Sequence, residues 1–337
     1  MKGIIVGLGG WGSSWSQVIK DSGWEIAAWV DINPDALRNA VTNLGANQDQ
    51  CYSALDEALR KTRADAAFIF TEPTSGRARD IIAAMDAGLH VLAEKPLTAS
   101  PHEMTAILEK HRSSGVKLMV GQNYRYMPGS VHMRNVVRSG DIGALGYMNV
   151  LYHMAINLPG SHVQNMENGM LLSMCIHHLD MMRFVIGAEP ETILAKTWNP
   201  PWSWTKADAC AECVMTFPGS VTVNYFAGWA AHRSETDWYG RWHLEFERGA
   251  LLTDGVKSSI IRDGQQTEIN GPEIDSIYTR NGVLREFTSA IEEDRTPECS
   301  VEDNRKSLRI AFSIIESARL RREIDFAAFA EANLEHR

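Results

Sequence analysis

The chain has 337 residues, 44% hydrophobic and 22% charged, which is the balance of an ordinary soluble protein long enough for about two domains. A formal charge of −9 argues against nucleic acid or an anionic membrane as the main partner, and no uninterrupted apolar stretch is long enough to cross a bilayer. Five cysteines without framework spacing fit reduced thiols, and the apolar start Ile4-Ile5-Val6 breaks into glycines too soon for a signal peptide, so the expected location is the cytoplasm.

Strand patterns fall near 2–7, 25–31, 65–71, 89–93 and 116–121. Between them, Pro34–Leu44, Ser53–Lys61, Arg77–Ala87 and Pro101–Ser113 carry apolar residues at helical spacing. This alternation predicts an α/β fold with a mainly parallel, doubly wound sheet over residues 1–123. After Met127-Pro128-Gly129 comes a helix pattern ending at Gly140, then strand-like runs near 145–156, 191–199, 209–217, 220–229, 241–247 and 257–263. A helix over about 169–186 interrupts them, stopped by Gly187 and Pro190, and two more close the chain near 279–293 and 301–322. Residues 124–337 are therefore expected to form an α+β domain with a large, mostly antiparallel sheet.

The first strand runs directly into Gly7-Leu8-Gly9-Gly10-Trp11-Gly12, a G-x-G-x-x-G turn opening a helix. Glycines there permit a tight turn and close approach of a pyrophosphate to the N–H groups at the helix start. Asp31 ends the second strand, nineteen residues past Gly12, where a carboxylate binds the ribose hydroxyls of NAD. It would repel a 2′-phosphate, and Ile32-Asn33-Pro34 supplies no arginine, so NAD is favoured over NADP.

Two further places carry chemistry. Ala93-Glu94-Lys95-Pro96 follows the strand-like Leu89-His90-Val91-Leu92. A lysine at the carboxyl end of a strand, restricted by the following proline, stands where open α/β sheets bind ligands. On the helix 169–186, Leu172, Ile176, Leu179 and Met182 form an apolar stripe, and Ser173, His177 and Asp180 form a polar one beside it. His177 is the candidate general base near neutral pH, and His178, about 100° round the helix, is the weaker one. Asn123, Tyr124 and Arg125, with His153 and Asn157, offer polar groups for substrate hydroxyls. Trp229, Trp238, Tyr239 and Trp242 could stack on a sugar ring, although half-buried sheet aromatics are commoner. Cys210 and Cys213 have CxxC spacing but no matching second pair, and no metal is expected.

The turn Gly7–Gly12, the Glu94-Lys95-Pro96 motif, Gly121-Gln122-Asn123-Tyr124-Arg125-Tyr126 with Pro128, and His177-His178-Leu179-Asp180 together resemble the glucose–fructose oxidoreductase/inositol dehydrogenase/rhizopine-catabolism family (GFO/IDH/MocA) over essentially the whole chain. The resemblance implies a Rossmann domain, a carboxyl-terminal open-faced sheet, an active site between them and an often cis Lys95–Pro96 bond. It implies oxidation of a sugar, sugar acid or polyol, or the reverse reduction, with Lys95 and His177 as the catalytic groups beside the reacting carbon. Cofactor contacts follow for the turn Gly7, Leu8, Gly9, Gly10, Trp11 and Gly12, for Asp31 and Ile32, for Thr71, Glu72 and Pro73, and for Glu94, Lys95 and Asn123. The resemblance places Lys95 and His177 at the substrate, and with the polar residues named above the expected substrate contacts are Lys95, Asn123, Tyr124, Arg125, His153, Asn157, Ser173 and His177.

Departures from the family pattern are Ser173 for an aspartate, Cys175 for a glycine, Glu72-Pro73-Thr74 for Thr-Pro-Asn, and Arg77 for a histidine. A serine hydroxyl can orient an imidazole but brings no charge. Two alternatives stay open: a glycoside-cleaving enzyme using transient oxidation by bound NAD, and a non-catalytic NAD-binding sensor. A homodimer or homotetramer is expected.

Overall fold

A computed structural model of the chain describes residues 1–72, 76–157, 159, 161–232, 234–270 and 276–333. The amino-terminal strands are β1 (Lys2–Val6), β2 (Glu25–Val30), β3 (Cys51–Tyr52), β4 (Ala66–Ile69), β5 (His90–Ala93) and β6 (Leu118–Val120). Alternating with them are α1 (Gly10–Asp21), α2 (Pro34–Asn43), α3 (Leu55–Lys61), α4 (Arg77–Asp86) and α5 (Pro101–Ser114). All pairings are parallel, in the order β3-β2-β1-β4-β5-β6. Helices on both faces explain the continuous apolar runs: every residue of Ala66-Ala67-Phe68-Ile69 is buried. The two-residue β3 has no run long enough to be read from sequence.

Next come α6 (Pro128–Ser139), β7 (Leu145–His153), α7 (His162–Asn165), a π-helical stretch Met170–Cys175, α8 (Ile176–Ile186), β8 (Thr192–Trp198), β9 (Cys210–Phe217), β10 (Val221–Gly228), β11 (Arg241–Phe246), β12 (Gly249–Thr253), β13 (Lys257–Arg262) and β14 (Gln265–Asn270). The chain closes with α9 (Ser276–Glu292), α10 (Val301–Leu320), β15 (Ile324–Asp325) and α11 (Phe326–Asn333). Nine strands form one sheet in the order β14-β13-β12-β11-β7-β10-β9-β8-β15, antiparallel except where β10 lies parallel to β7. One face is packed: Val221, Val223, Tyr225 and Ala227 alternate inward along β10. The other face is open, with Tyr147, Leu194 and Val214 exposed on it. All five cysteines are free thiols, and Cys210 and Cys213 are buried.

The chain divides into two compact units, one of Met1–Asn123 with Asp275–Arg305, the other of Tyr124–Ile274 with Lys306–His336. Thus α9 returns to the first unit, where the indole of Trp24 donates to Thr288 Oγ1 (2.9 Å) and packs on Phe287. From the residue pattern alone the second domain runs from 124 to the end, because an amphipathic helix looks the same whichever sheet it covers. The helix expected over 169–186 is in fact π-helical to Cys175 and α-helical from Ile176. The 100° step between successive residues therefore does not carry across from Ser173 to His177.

Candidate active site

In the first unit, β1 ends in a turn whose glycines have different tasks. Gly7 has φ +90°, and a Cβ there would lie 2.7 Å from Thr71 N. A Cβ on Gly12 would lie 1.9 Å from Gly7 O, so α1 can start this close to the strand only with glycine. Gly9 and Gly10 face open space, leaving the start of α1 clear for a ligand. Asp31 follows β2 and is pinned by main-chain donors: Leu8 N gives to Oδ2 (2.6 Å) and Asn33 N to Oδ1 (2.7 Å). A cavity of about 580 Å³ opens here, lined among others by Gly7, Gly9, Asp31, Ile32, Thr71 and Glu72. An open glycine cradle, a fixed carboxylate and a cavity at the strand ends fit a dinucleotide. Ile32 is largely exposed, Leu8 is buried, and Pro73 lies outside the described residues.

β5 leads into Glu94-Lys95-Pro96, with the Lys95–Pro96 bond cis. Glu94 is buried, and its carboxylate accepts from Trp11 Nε1 (2.7 Å) and from the Lys95 amide (2.9 Å). Desolvation holds the Lys95 amine below the ordinary lysine range, the Arg77 guanidinium adds to that, and Glu94 opposes it. The Asn123 side chain donates to Thr279 Oγ1 (3.0 Å). Arg280, also on α9, lies over the Trp11 ring (5.3 Å) and donates to Ser14 O (2.9 Å). No local pattern marks Arg280, because its partners lie far away along the chain.

In the second unit, His177 lies in the first turn of α8 and is 4% exposed. Its ring stacks on Tyr124, with centroids 4.3 Å apart and planes 11° from parallel. Burial raises the Tyr124 phenol, which stays protonated. Ser130 Oγ donates to Tyr124 O (2.6 Å) and lies 3.0 Å from Tyr239 Oη, so the Tyr239 hydroxyl is the donor of that second bond. His178 is fully buried, 2.7 Å from Tyr225 Oη through Nδ1 and 3.0 Å from Trp238 O through Nε2. A carbonyl only accepts, so Nε2 carries the proton and Nδ1 accepts from Tyr225. Desolvation pushes His178 down to about 4, and it is a neutral structural residue.

Asp180 is committed elsewhere than to His177. Its Oδ2 accepts from Arg125 Nε (2.6 Å), and its Oδ1 accepts from Arg125 Nη2 (2.7 Å) and Ser307 Oγ (2.7 Å). Arg125 is buried with it and lies over the Phe184 ring, so this arginine, expected to bind substrate, is a strut of the unit. Ser173 sits in the π-helical stretch. His153 is bound through its main chain to Thr236 and lines a different cavity, with Trp198 and Trp202, and Asn157 Oδ1 accepts from Gln164. Of the clustered aromatics, Trp229 and Trp242 are buried and donate to Tyr152 Oη and Tyr239 O, and only Trp238 is exposed.

The family model described as "Oxidoreductase family, NAD-binding Rossmann fold" matches residues 1–122, and that of the "GFO/IDH/MocA C-terminal domain" matches residues 130–271. The uncharacterized protein y4oX of Sinorhizobium fredii is 26% identical over 98% of this chain and 97% of its own. Myo-inositol 2-dehydrogenase of Thermotoga maritima is 26% identical over 57% of this chain and 56% of its own. A solved oxidoreductase from Agrobacterium radiobacter, in complex with NAD+, L-tartaric acid and magnesium, has the same fold: TM-score 0.90 at 20% identity, covering 97% of this chain and 99% of that one.

Proposed function

The chain belongs to the GFO/IDH/MocA family of NAD-binding oxidoreductases, and from that premise we propose that it oxidises a CH–OH group of a sugar, sugar acid or polyol, or reduces the corresponding carbonyl. The observation that carries this reading is the carboxyl edge of the parallel sheet, where β1 leads into the glycine turn, β2 into Asp31 and β5 into the Glu94-Lys95 turn. The named substrate of the Thermotoga relative, a polyol, supports the substrate class.

In this reading the glycine turn holds the pyrophosphate of NAD, Asp31 the ribose hydroxyls, and bound NAD supplies the hydride acceptor. His177 takes the hydroxyl proton as the carbonyl forms and returns it in the reverse direction. Lys95 hydrogen-bonds the reacting oxygen and stabilises its negative charge. Tyr124, stacked on His177, fixes the plane of the imidazole. The location proposed is the cytoplasm; among the described residues no helix is long and apolar enough to cross a membrane. We propose self-association through the open sheet face, where Tyr147, Leu194 and Val214 are exposed, which light scattering on the purified protein tests.

The direct experiment follows NADH formation with a panel of aldoses, polyols and sugar acids, and NADH consumption with the matching carbonyls. Turnover of at least one pair is the expected result. Absence of turnover in both directions, with either NAD or NADP, would remove the proposal.

A further inference from the structure

Arg77 opens α4 with its side chain turned into the first unit, 4% exposed. Nε donates to Thr71 O (2.6 Å), and Nη1 donates to Glu94 O (2.9 Å) and to Pro96 O. The last two carbonyls flank Lys95, one on each side. The amide of Lys95 itself goes to the Glu94 carboxylate, and Glu94 N goes to Ile69 O (2.9 Å). A guanidinium and a carboxylate therefore hold the main chain around Lys95 beyond the sheet bond to Ile69, and the guanidinium also ties in the loop after β4. Burying a guanidinium is expensive, and a side chain that only filled space here would be apolar. The planar fork of arginine can reach several carbonyls with one rigid group, which an ammonium cannot do.

We infer that Arg77 is a positioning residue for Lys95, a role that rests on the reading of Lys95 as the group at the substrate oxygen. It fixes the turn on both sides of the lysine, so that the amine is presented at one place. It also puts a second cation near that amine. The carboxylates that act on Arg77 are Glu94, Glu72 and Asp80, and the charged groups that act on Lys95 are Glu94 and Arg77.

The test compares wild type, Arg77→Met, Arg77→Lys, Lys95→Met and the double variant Arg77→Met/Lys95→Met. The readings are kcat and KM with the best substrate of the panel, and the NADH dissociation constant by fluorescence. A further reading needs no turnover: the pH dependence of acylation of Lys95 by trace acetic anhydride, followed by mass spectrometry. Arg77→Met is expected to lower kcat about 100-fold, the cost of a misplaced catalytic group, with NADH affinity within about threefold of wild type. Its Lys95 acylation midpoint should move to higher pH, because a neighbouring cation is gone. Arg77→Lys keeps the charge without the fork and should lose about tenfold in kcat while still folding at the assay temperature, which covers the case in which Arg77→Met fails to fold. The double variant should be no slower than Lys95→Met alone. Wild-type kcat in Arg77→Lys, or losses that multiply in the double variant, would overturn the inference. If Lys95→Met turns over like wild type, the functional reading falls instead; an unchanged acylation midpoint in Arg77→Met would then dispose of the Arg77 role as well.

Discussion

Around Lys95 the fold acts on the main chain: the Arg77 guanidinium takes the carbonyls on either side, and the Glu94 carboxylate takes the amide. Around His177 it acts on side chains, with Tyr124 stacked on the imidazole and Asp180 locked to Arg125 and Ser307 within the same unit. A turn lacks the repeating hydrogen bonds of a helix, so its conformation has to be imposed by polar groups from elsewhere. A helix already has its backbone bonds satisfied, so the fold need only set its position and the rotamers along it. The lesson is that the turn should lose chemistry before stability, whereas the helix should lose stability when its ion pair is cut.

The largest effect expected is on turnover. Lys95→Met and His177→Asn should each lower kcat about 10³-fold, near 4 kcal/mol, while NADH still binds and the urea midpoint stays near wild type. A variant that unfolds instead of merely losing turnover would break the contrast on the Lys95 side. Asp180→Ala comes next, since it removes the carboxylate that accepts two bonds from the buried Arg125 guanidinium. Its cost should be about 3–5 kcal/mol in urea unfolding, with no comparable loss from cutting an exposed pair such as Lys61–Glu57.

His178 supplies a smaller, pH-dependent effect. The folded protein keeps it neutral down to about 4, whereas the unfolded chain binds its proton near the ordinary 6.5. Stability from this residue is therefore full above pH 6.5 and is lost as pH falls toward 4, by about 3 kcal/mol at most. Urea titrations at pH 7 and pH 4.5 should show this loss in wild type and a smaller one in His178→Asn. The least effect belongs to Ser173→Asp. A carboxylate near His177 raises the imidazole pKa, which moves the acid limb of the oxidation profile to higher pH, and the π-helical offset should keep the change in kcat below about tenfold. A larger shift would mean that residue 173 faces the imidazole as an α-helical stripe would place it.

Much of the fold was legible in the pattern of residues. Short buried runs such as Ala66–Ile69 are strand-like and flanked by helical spacing, and local hydrophobic order is enough to identify them. The glycine turn and Asp31 were legible too, because a strand–turn–helix with a carboxylate on the next strand is a local arrangement. β12 and β14 were not, since Gly249–Thr253 and Gln265–Asn270 lack a distinctive alternation of their own and are strands because their neighbours pair with them. Nor was the π-helical stretch, as nothing in Met170–Cys175 departs from an ordinary amphipathic run.

The residue sequence by itself determined which groups could do chemistry, a glycine cradle, a carboxylate, a lysine before a proline and a pair of histidines, because those properties belong to residue types and short spacings. Tertiary structure alone decided which of them were already engaged. Arg125 went to Asp180, His178 to Tyr225 and Trp238, and Arg77 to the carbonyls beside Lys95. Each of those bonds joins residues at least seventeen positions apart. The need to pair a buried polar group is general, but its partner is named only when the chain is folded.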